Sequence, residues 1–137
     1  EKSIAIGKLE KENIVIITRS KSTDKKNIIK RIETWKTAWE NKDLDLYFDS
    51  YSENFKYPNQ MNQNQWENYR RDRIVNKKNI SINISNIKLK FEKDIIHAVF
   101  YQEYKSTGYQ QKSKKTLFFE FQSDDWKIIE EFSGKKY

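Results

Sequence analysis

Apolar residues recur along the first part of the chain with the spacing of two amphipathic helices. One stripe has intervals of four, three and four positions and consists of Ile28, Ile32, Trp35 and Trp39. A second stripe, with intervals of three, one and three, consists of Leu44, Tyr47, Phe48 and Tyr51. Asp43 is suited to cap the second helix, and candidate caps of the first are Ser22, Thr23 and Asp24. The pattern therefore predicts two helices whose aromatic faces another layer must cover.

A third helix is predicted after the only proline of the chain, Pro58. Residues 54–57 are interpreted as a short strand that ends at this proline. Asn64, with Glu67 three positions later, resembles a capping box and predicts the start of the helix. One side of that helix carries Trp66, Tyr69, Arg70, Arg73 and Ile74.

From residue 80 onward the apolar period changes to two, which is typical of strands. Apolar side chains occupy even positions up to Ile84 and odd positions from Ile87, so one residue has been inserted into the alternation. A β-bulge near Ser85 and Asn86 explains this change of phase. Further strands are predicted over residues 95–105, 116–121 and 126–132, with turns near Gly108 and at residues 123–125. The order of elements predicts an α+β domain, with three N-terminal helices and then an antiparallel meander.

The length of 137 residues fits one domain. A β-branched run at residues 14–18 is followed by a polar stretch, so we predict an N-terminal strand and linker over residues 1–24 and a single domain over residues 25–137. The chain begins at Glu1 rather than at a methionine, as expected of a mature product or of a piece of a longer protein. Its first residues lack the apolar core of a signal peptide.

The net charge of +7 favours anionic partners such as nucleic acid, an acidic glycan or a membrane surface. Most lysines alternate with acids, however, which is also typical of an ordinary solvated surface. No RNA-binding motif or helix-turn-helix pattern is present, and nucleic acid is disfavoured as a partner. No run of about 18 apolar residues is long enough to span a membrane.

The chain has no cysteine, which excludes disulfides, thiolate nucleophiles and cysteine-based zinc sites. His97 is the only histidine, and scattered carboxylates do not add up to a metal site. We predict no metal and no cofactor. His97 lies on the outer strand face beside Val99, where an exposed or partly packed side chain is expected rather than a base.

About a dozen positions resemble one protein family. The matching segments are WKTAWENKDLDLYFDSYSENF (residues 35–55), WENYRRDRI (66–74), FYQEYKS (100–106), Lys115 and WKIIEE (126–131). Together they resemble the C-terminal NTF2-like domain of cell-shape-determining murein L,D-carboxypeptidases, over roughly residues 25–133. The resemblance implies a cone-shaped, strongly bent antiparallel sheet in which the three helices pack.

In that family, catalysis resides in a separate L,D-transpeptidase-like domain with a cysteine nucleophile. The resemblance therefore implies a non-catalytic accessory domain in the periplasm, which positions a covalently linked or separate murein-trimming L,D-carboxypeptidase. Peptidoglycan or another glycan is the natural ligand candidate. A homodimer is a further possible assembly.

A ligand site is predicted where polar side chains share the inward face of the sheet. Gln102 and Tyr104 follow Ala98 and Phe100 on one strand face, and a buried amide needs a partner. The guanidinium forks of the third helix suit a carboxylate or phosphate, and aromatic rings suit the C–H face of a sugar. The predicted pocket consists of Tyr51, Trp66, Arg70, Gln102, Tyr104 and Lys115, with Arg73 and Glu131 at its rim.

Several alternatives remain open at this point. The arginines also fit ion pairs with Glu67, Glu130 or Glu131, and Trp66 also fits a purely structural anchor. A small-molecule enzyme of the NTF2-like or SnoaL-like type, recruiting an acid such as Asp49, is one rival function. A dimerisation module that pairs through the outer sheet face, including Val99 and Tyr101, is another.

Overall fold

The computed structural model describes residues 20–134. Its α-helices are α1 (Lys21–Asn41), α2 (Leu44–Asp49) and α3 (Gln63–Val75), and a short 3-10 turn spans Pro58–Gln60. Its strands are β1 (Ser81–Glu92), β2 (Ile95–Ser106), β3 (Tyr109–Gln122) and β4 (Asp125–Ser133). The predicted α+β class is therefore confirmed. The predicted strand at residues 14–18 lies outside the described residues, and the domain boundary at residue 25 stays a prediction.

The four strands form one antiparallel sheet in the order β1-β2-β3-β4. The register of β1 against β2 shifts between Ser85 and Lys88, which confirms the bulge predicted from the change of phase. Asn86 has a φ of +54°, a left-handed conformation that asparagine tolerates better than most residues. The strong bend of the whole sheet stays a prediction.

The core lies between α1 and the inward face of the sheet. Trp35 and Ile28 of α1 are fully buried, as the stripe predicts. The Trp35 ring meets Phe100 of β2 edge-on, with ring centroids 6.3 Å apart. Trp39 follows one helical turn later, and its ring centroid is 5.6 Å from that of Tyr104, which also lies on β2. The sheet thus covers the aromatic face of α1, whereas Tyr47 and Phe48 of α2 pack against Trp39 of α1 and Trp66 of α3.

The starts of two helices differ from the prediction by two residues or more. Ser20, rather than one of the three predicted residues, caps α1 and accepts a hydrogen bond from the Thr23 backbone N–H at 3.1 Å. The capping box of α3 is formed by Asn62 and Gln65 rather than by Asn64 and its partner. The pattern of an asparagine followed three positions later by Gln or Glu occurs twice here. Only Asn62 and Gln65 form the two reciprocal bonds, in which the side chain of each accepts from the backbone N–H of the other. Asp43 caps α2 as predicted.

The short strand predicted over residues 54–57 does not form. The Ser52 hydroxyl accepts a hydrogen bond from the Asn54 N–H at 2.8 Å, and the Ser52 carbonyl accepts one from Phe55 at 3.0 Å. These bonds turn the backbone where an extended strand was expected. The segment still contacts β4, since the Lys56 N–H donates to the Ile129 carbonyl at 2.9 Å, and the preceding Tyr51 forms a parallel bridge with Ile128.

Strand β3 begins at Tyr109, seven residues before the predicted start at Thr116. Its first half is polar on both faces, so it lacks the apolar alternation that predicts a strand. Ser113 and Lys115 are nevertheless buried there, on the same face as Leu117 and Phe119. This unpredicted half-strand forms one wall of the cavity described next.

Candidate functional site

A cavity of about 380 Å³ lies between α3 and the inward face of β2 and β3. This volume falls within the range that small-molecule ligands usually occupy. The lining side chains are Trp39, Tyr69, Arg70, Arg73, Lys77, Gln102, Tyr104, Tyr109, Gln111, Ser113, Lys115 and Ser133. We call this the central cavity.

The lining of the central cavity is strongly positive. Four of its side chains are cationic, namely Arg70, Arg73, Lys77 and Lys115, and no carboxylate is among the lining residues. The remaining polar groups are phenols, amides and hydroxyls, with indole and phenol rings as the apolar surface. Such a lining is suited to a polar ligand that carries a negative charge.

Lys115 is a buried cation in the floor of this cavity. The residue is only 5% exposed. Its Nζ lies 2.6 Å from Glu131 Oε2 and 3.1 Å from Ser133 Oγ, both on β4. An ammonium group has three N–H donors, and these two acceptors use two of them.

Glu131 faces Lys115 because β4 carries an irregularity. Leu117 is opposite Glu131 and Phe119 is opposite Ile128, so the register shifts between Phe118 and Phe119. Without this shift, Glu131 and Ile128 would lie on opposite faces of the strand. The irregularity therefore brings a carboxylate onto the inward face, beside Lys115.

A chain of hydrogen bonds runs from Glu131 to α3. The Tyr51 hydroxyl is 2.7 Å from Glu131 Oε1 and accepts a bond from Trp35 Nε1 at 3.0 Å. The hydroxyls of Tyr51 and Tyr47 are 3.2 Å apart. Arg70 Nε in turn donates to the Tyr47 hydroxyl at 3.0 Å. Helices α1, α2 and α3 are thereby tied to β4 through one polar network.

The ionisation states in this network follow from burial and charge. Burial raises the pKa of Tyr47, and burial together with the negative charge of Glu131 raises the pKa of Tyr51 well above its ordinary value. Burial alone raises the pKa of Glu131, but the charge and hydrogen bond of Lys115, with Arg70 and Tyr51, outweigh it and lower the pKa overall. At neutral pH both phenols therefore stay protonated and Glu131 stays ionised.

Arg70 is held in place by rings rather than by an acid. Its guanidinium carbon is 5.1 Å from the centre of the Trp39 ring and 5.6 Å from that of Tyr47. Arg73, one turn further along α3, lies over Tyr69 at 4.8 Å. Within residues 20–134, no carboxylate oxygen lies within 4.0 Å of either arginine, so the predicted ion pairs with Glu67, Glu130 or Glu131 do not form. Both guanidinium groups retain donors for a ligand.

Five of the eight predicted site residues line the central cavity together: Arg70, Arg73, Gln102, Tyr104 and Lys115. Glu131 lines a smaller hollow of about 190 Å³ that shares Arg70 and Lys115 with it. Tyr51 is 9% exposed and does not line the central cavity, but its hydroxyl donates a hydrogen bond to Glu131. Their roles in ligand binding stay a prediction.

Trp66 belongs to a different environment from the one predicted. Its ring is 4% exposed and packs against Tyr51, Phe55 and Phe48, so it anchors α3. Its accessible edge contributes to the smaller hollow and to a separate cavity of about 450 Å³ that also involves Tyr57 and Gln122. Trp66 does not line the central cavity.

Several lining residues were not predicted from the sequence. Gln111 and Ser113 alternate with outward residues on β3 and continue the inward row of Lys115 and Leu117. An alternation of polar residues that leads into an apolar row is the signal available in the sequence. Trp39, interpreted as core, is indeed 7% exposed, yet its ring also forms part of the cavity wall. Tyr47, which lies in the predicted stripe of the second helix, is the hydrogen-bond partner of Arg70.

The groups considered for catalysis lie elsewhere. Asp49 forms an ion pair with Lys127 at 3.2 Å, away from the central cavity. His97 stacks on Phe118 at 4.0 Å on the outer sheet face, and its Nε2 is 3.3 Å from Glu92. Among residues 20–134, no group of three or more His, Asp or Glu side chains is arranged to hold a metal ion. Over the same residues, no helix is both long and apolar enough to cross a membrane.

The fold is that of an NTF2-like domain. The sequence profile of the Cds6 C-terminal NTF2-like domain matches residues 27–132, and the chain belongs to this family. A search of curated protein sequences found no match.

Solved structures of two bacterial proteins are similar to this chain. One is Bd1075 of Bdellovibrio bacteriovorus, at 26% identity and a TM-score of 0.75, over 90% of this chain and 47% of Bd1075. Another is the helical cell shape determining protein Pgp2 of Campylobacter jejuni, at 25% identity and a TM-score of 0.71, over 90% of this chain and 45% of Pgp2. The chain thus spans less than half the length of these relatives.

More distant structures share the fold alone. A putative NTF2-like dehydratase from Streptomyces avermitilis has a TM-score of 0.72 at 13% identity, over 82% of this chain and 95% of that protein. At this identity the likeness describes the backbone and not the chemistry of the site.

Proposed function

We propose that this chain is a non-catalytic accessory domain that binds peptidoglycan, or another glycan, in the central cavity and positions a murein-trimming enzyme. The observation that carries the proposal is the lining of the cavity, which combines four cations and several aromatic rings with no carboxylate. Peptidoglycan offers both matching features, since its peptides carry carboxylates and its sugars present C–H faces to rings. The relation to Pgp2, a protein named for determining cell shape, supports a cell-wall ligand.

The arrangement of titratable groups supports a binding role over catalysis. Proton transfer needs a group whose pKa lies near the working pH. Lys115, which lines the cavity, holds the Glu131 carboxylate ionised, and the pKa values of Tyr47 and Tyr51 are raised. None of these three groups is poised to exchange a proton at neutral pH.

The proposal places the chain in the periplasm, beside an L,D-carboxypeptidase domain on the same or another polypeptide. Less than half of Bd1075 or Pgp2 is matched by this chain, which leaves room in such proteins for a further domain. In this arrangement the accessory domain holds the murein, and the partner enzyme trims the peptides of that murein.

Retention on purified murein tests the proposal. We expect the domain to co-sediment with sacculi and the Arg70→Ala and Tyr104→Ala variants to lose retention while still folding. Arg71→Ala is the matched control, because Arg71 is exposed on the same helix, contacts Asn68 at 3.0 Å and does not line the cavity. Retention should also weaken with salt, since cationic side chains contribute.

Size-exclusion of the same samples separates the main rival. Tyr101 on the outer sheet face is 43% exposed, so a second copy has access to that face. A dimer that shows no retention on murein would favour an interaction module. Turnover of a carbonyl or hydroxyl substrate by this chain would instead favour an enzyme.

A further inference from the structure

Gln102 carries a buried amide with an unmet hydrogen bond. The residue is 7% exposed and lines the central cavity. Its Oε1 has no hydrogen-bond partner among the described residues. Buried polar groups in folded proteins are nearly always paired, so an unpaired one at a cavity wall is available to bond with a ligand or an ordered water.

The position of Gln102 fixes what lies beside it. In the register of β2 and β3, Gln102 is opposite Ser113, and Phe100 is opposite Lys115. Gln102 and Lys115 are therefore diagonal neighbours on the inward face, within reach of one small ligand. When the anionic group of a ligand binds Lys115, the atoms next to that group lie beside Gln102.

The terminal torsion of a glutamine side chain is broad, so the amide can turn either its oxygen or its amino group toward the cavity. The four cations of the wall only donate hydrogen bonds. An anion there is satisfied by these cations, and a neighbouring N–H or O–H of the ligand needs an acceptor. Gln102 Oε1 is the acceptor without a partner.

The wall matches a ligand with one donor better than one with many. A sugar presents several hydroxyl donors, and carboxylates, the strongest acceptors for them, are missing from the lining. An N-acyl amino acid presents one carboxylate and, on the adjacent carbon, one amide N–H. That pairing of anion and donor matches the pairing of Lys115 and Gln102.

We propose that the central cavity recognises the C-terminal residue of a peptide, as an N-acyl amino acid. The carboxylate binds Lys115 and Arg70, and the adjoining amide N–H donates to Gln102 Oε1. This inference rests on the proposed function, and it assigns recognition to the peptide rather than the sugar of the cell-wall ligand.

NMR titration with small probes tests the assignment. N-acetylalanine, as the racemate, contains both features, propanoate lacks the amide, and N-acetylalaninamide lacks the carboxylate. We expect N-acetylalanine to bind about three- to tenfold more tightly than propanoate, which is the usual worth of one hydrogen bond. N-acetylalaninamide should bind more weakly still, and the side-chain amide signals of Gln102 should shift with N-acetylalanine.

Two variants sharpen the test. Gln102→Met keeps the length of the side chain but removes the amide, and should bring N-acetylalanine down to the affinity of propanoate. Gln110→Met is the control, because Gln110 is exposed and bonds to Glu103 at 2.7 Å. It should keep the preference. The wild-type shift of the Gln102 amide signals remains decisive should Gln102→Met fail to fold.

Equal binding of propanoate and N-acetylalanine to the wild type would overturn the inference, as would a preference that persists in Gln102→Met. Tighter binding of glucuronate than of N-acetylalanine would overturn it in favour of an acidic sugar. Retention on sacculi without N-acetylalanine binding would overturn the inference and leave the proposed function standing. N-acetylalanine binding without retention on sacculi would support the inference and contradict the proposed function.

Discussion

Lys115 and Glu131 form a buried ion pair across the inward face of β3 and β4, with 2.6 Å between Nζ and Oε2. Their side chains are 7% and 17% exposed. The pair is joined through Tyr51 to the helices and through Ser133 to β4. It therefore supports the fold and presents a cation to the central cavity at the same time.

Removal of one partner should destabilise the domain strongly. In Lys115→Met, the Glu131 carboxylate is left largely buried without its counter-charge, and we expect the free energy of unfolding to fall by about 3 kcal/mol. The double variant Lys115→Met, Glu131→Gln should lose less than the sum of the two single losses. Urea denaturation of the four proteins measures this coupling, and strictly additive losses would contradict the pairing.

The same pair makes stability depend on pH. The pKa of Glu131 in the folded state is lower than its ordinary value of 4.5. A lowered folded-state pKa contributes stability that is fully present above pH 4.5 and is lost as the pH falls through the folded-state pKa. We expect the urea midpoint of the wild type to fall more steeply below about pH 4.5 than that of Glu131→Gln. An equal fall of the urea midpoint below pH 4.5 in the two proteins would show that ionised Glu131 does not stabilise the fold.

Arg70 should not be replaceable by lysine. Arg70→Lys keeps the charge but loses the bond from Nε to Tyr47 and the planar contact with Trp39. We expect retention on murein to fall and the free energy of unfolding to drop by about 1–2 kcal/mol. The control Arg71→Lys should change stability by about 0.5 kcal/mol or less. A wild-type level of retention in Arg70→Lys would mean that charge alone suffices.

The capping box of α3 gives a prediction about the fold alone. Asn62 accepts from the Gln65 backbone N–H at 2.8 Å, and its loss in Asn62→Ala should cost about 1 kcal/mol. Asn64 lies two residues further, inside α3 and exposed, so Asn64→Ala should have little effect. Thermal or urea unfolding compares the two variants, and a larger loss in Asn64→Ala would contradict the assigned cap.

The sequence predicts an element well where the alternation of apolar and polar residues differs from that of the neighbouring segments. The bulge near Asn86 is visible because isoleucines change parity around it. The irregularity in β4 is not visible, because Ile128 and Ile129 are both apolar and Glu130 and Glu131 are both acidic. A shift by one residue leaves that pattern unchanged, so the inward position of Glu131 needs the structure.

The candidate site shows the same limit. Gln102 and Tyr104 were predicted because they continue an apolar face on a strand that the pattern identifies. The wall formed by Gln111 and Ser113 was not predicted. These inward residues line a cavity and are therefore polar, so the strand lacks the apolar alternation by which it could be recognised. Tyr47 was missed as the partner of Arg70, since a phenol in an aromatic stripe has the pattern of core.

NMR titration of the labelled domain with murein-derived muropeptides tests the central claim most directly. The account predicts that the Trp39 indole and Gln102 side-chain amide signals shift together, while Trp126, which does not line the central cavity, stays unchanged. Absence of shifts at Trp39 and Gln102, or shifts confined to Gln122 and Tyr57 in the separate cavity, would contradict it.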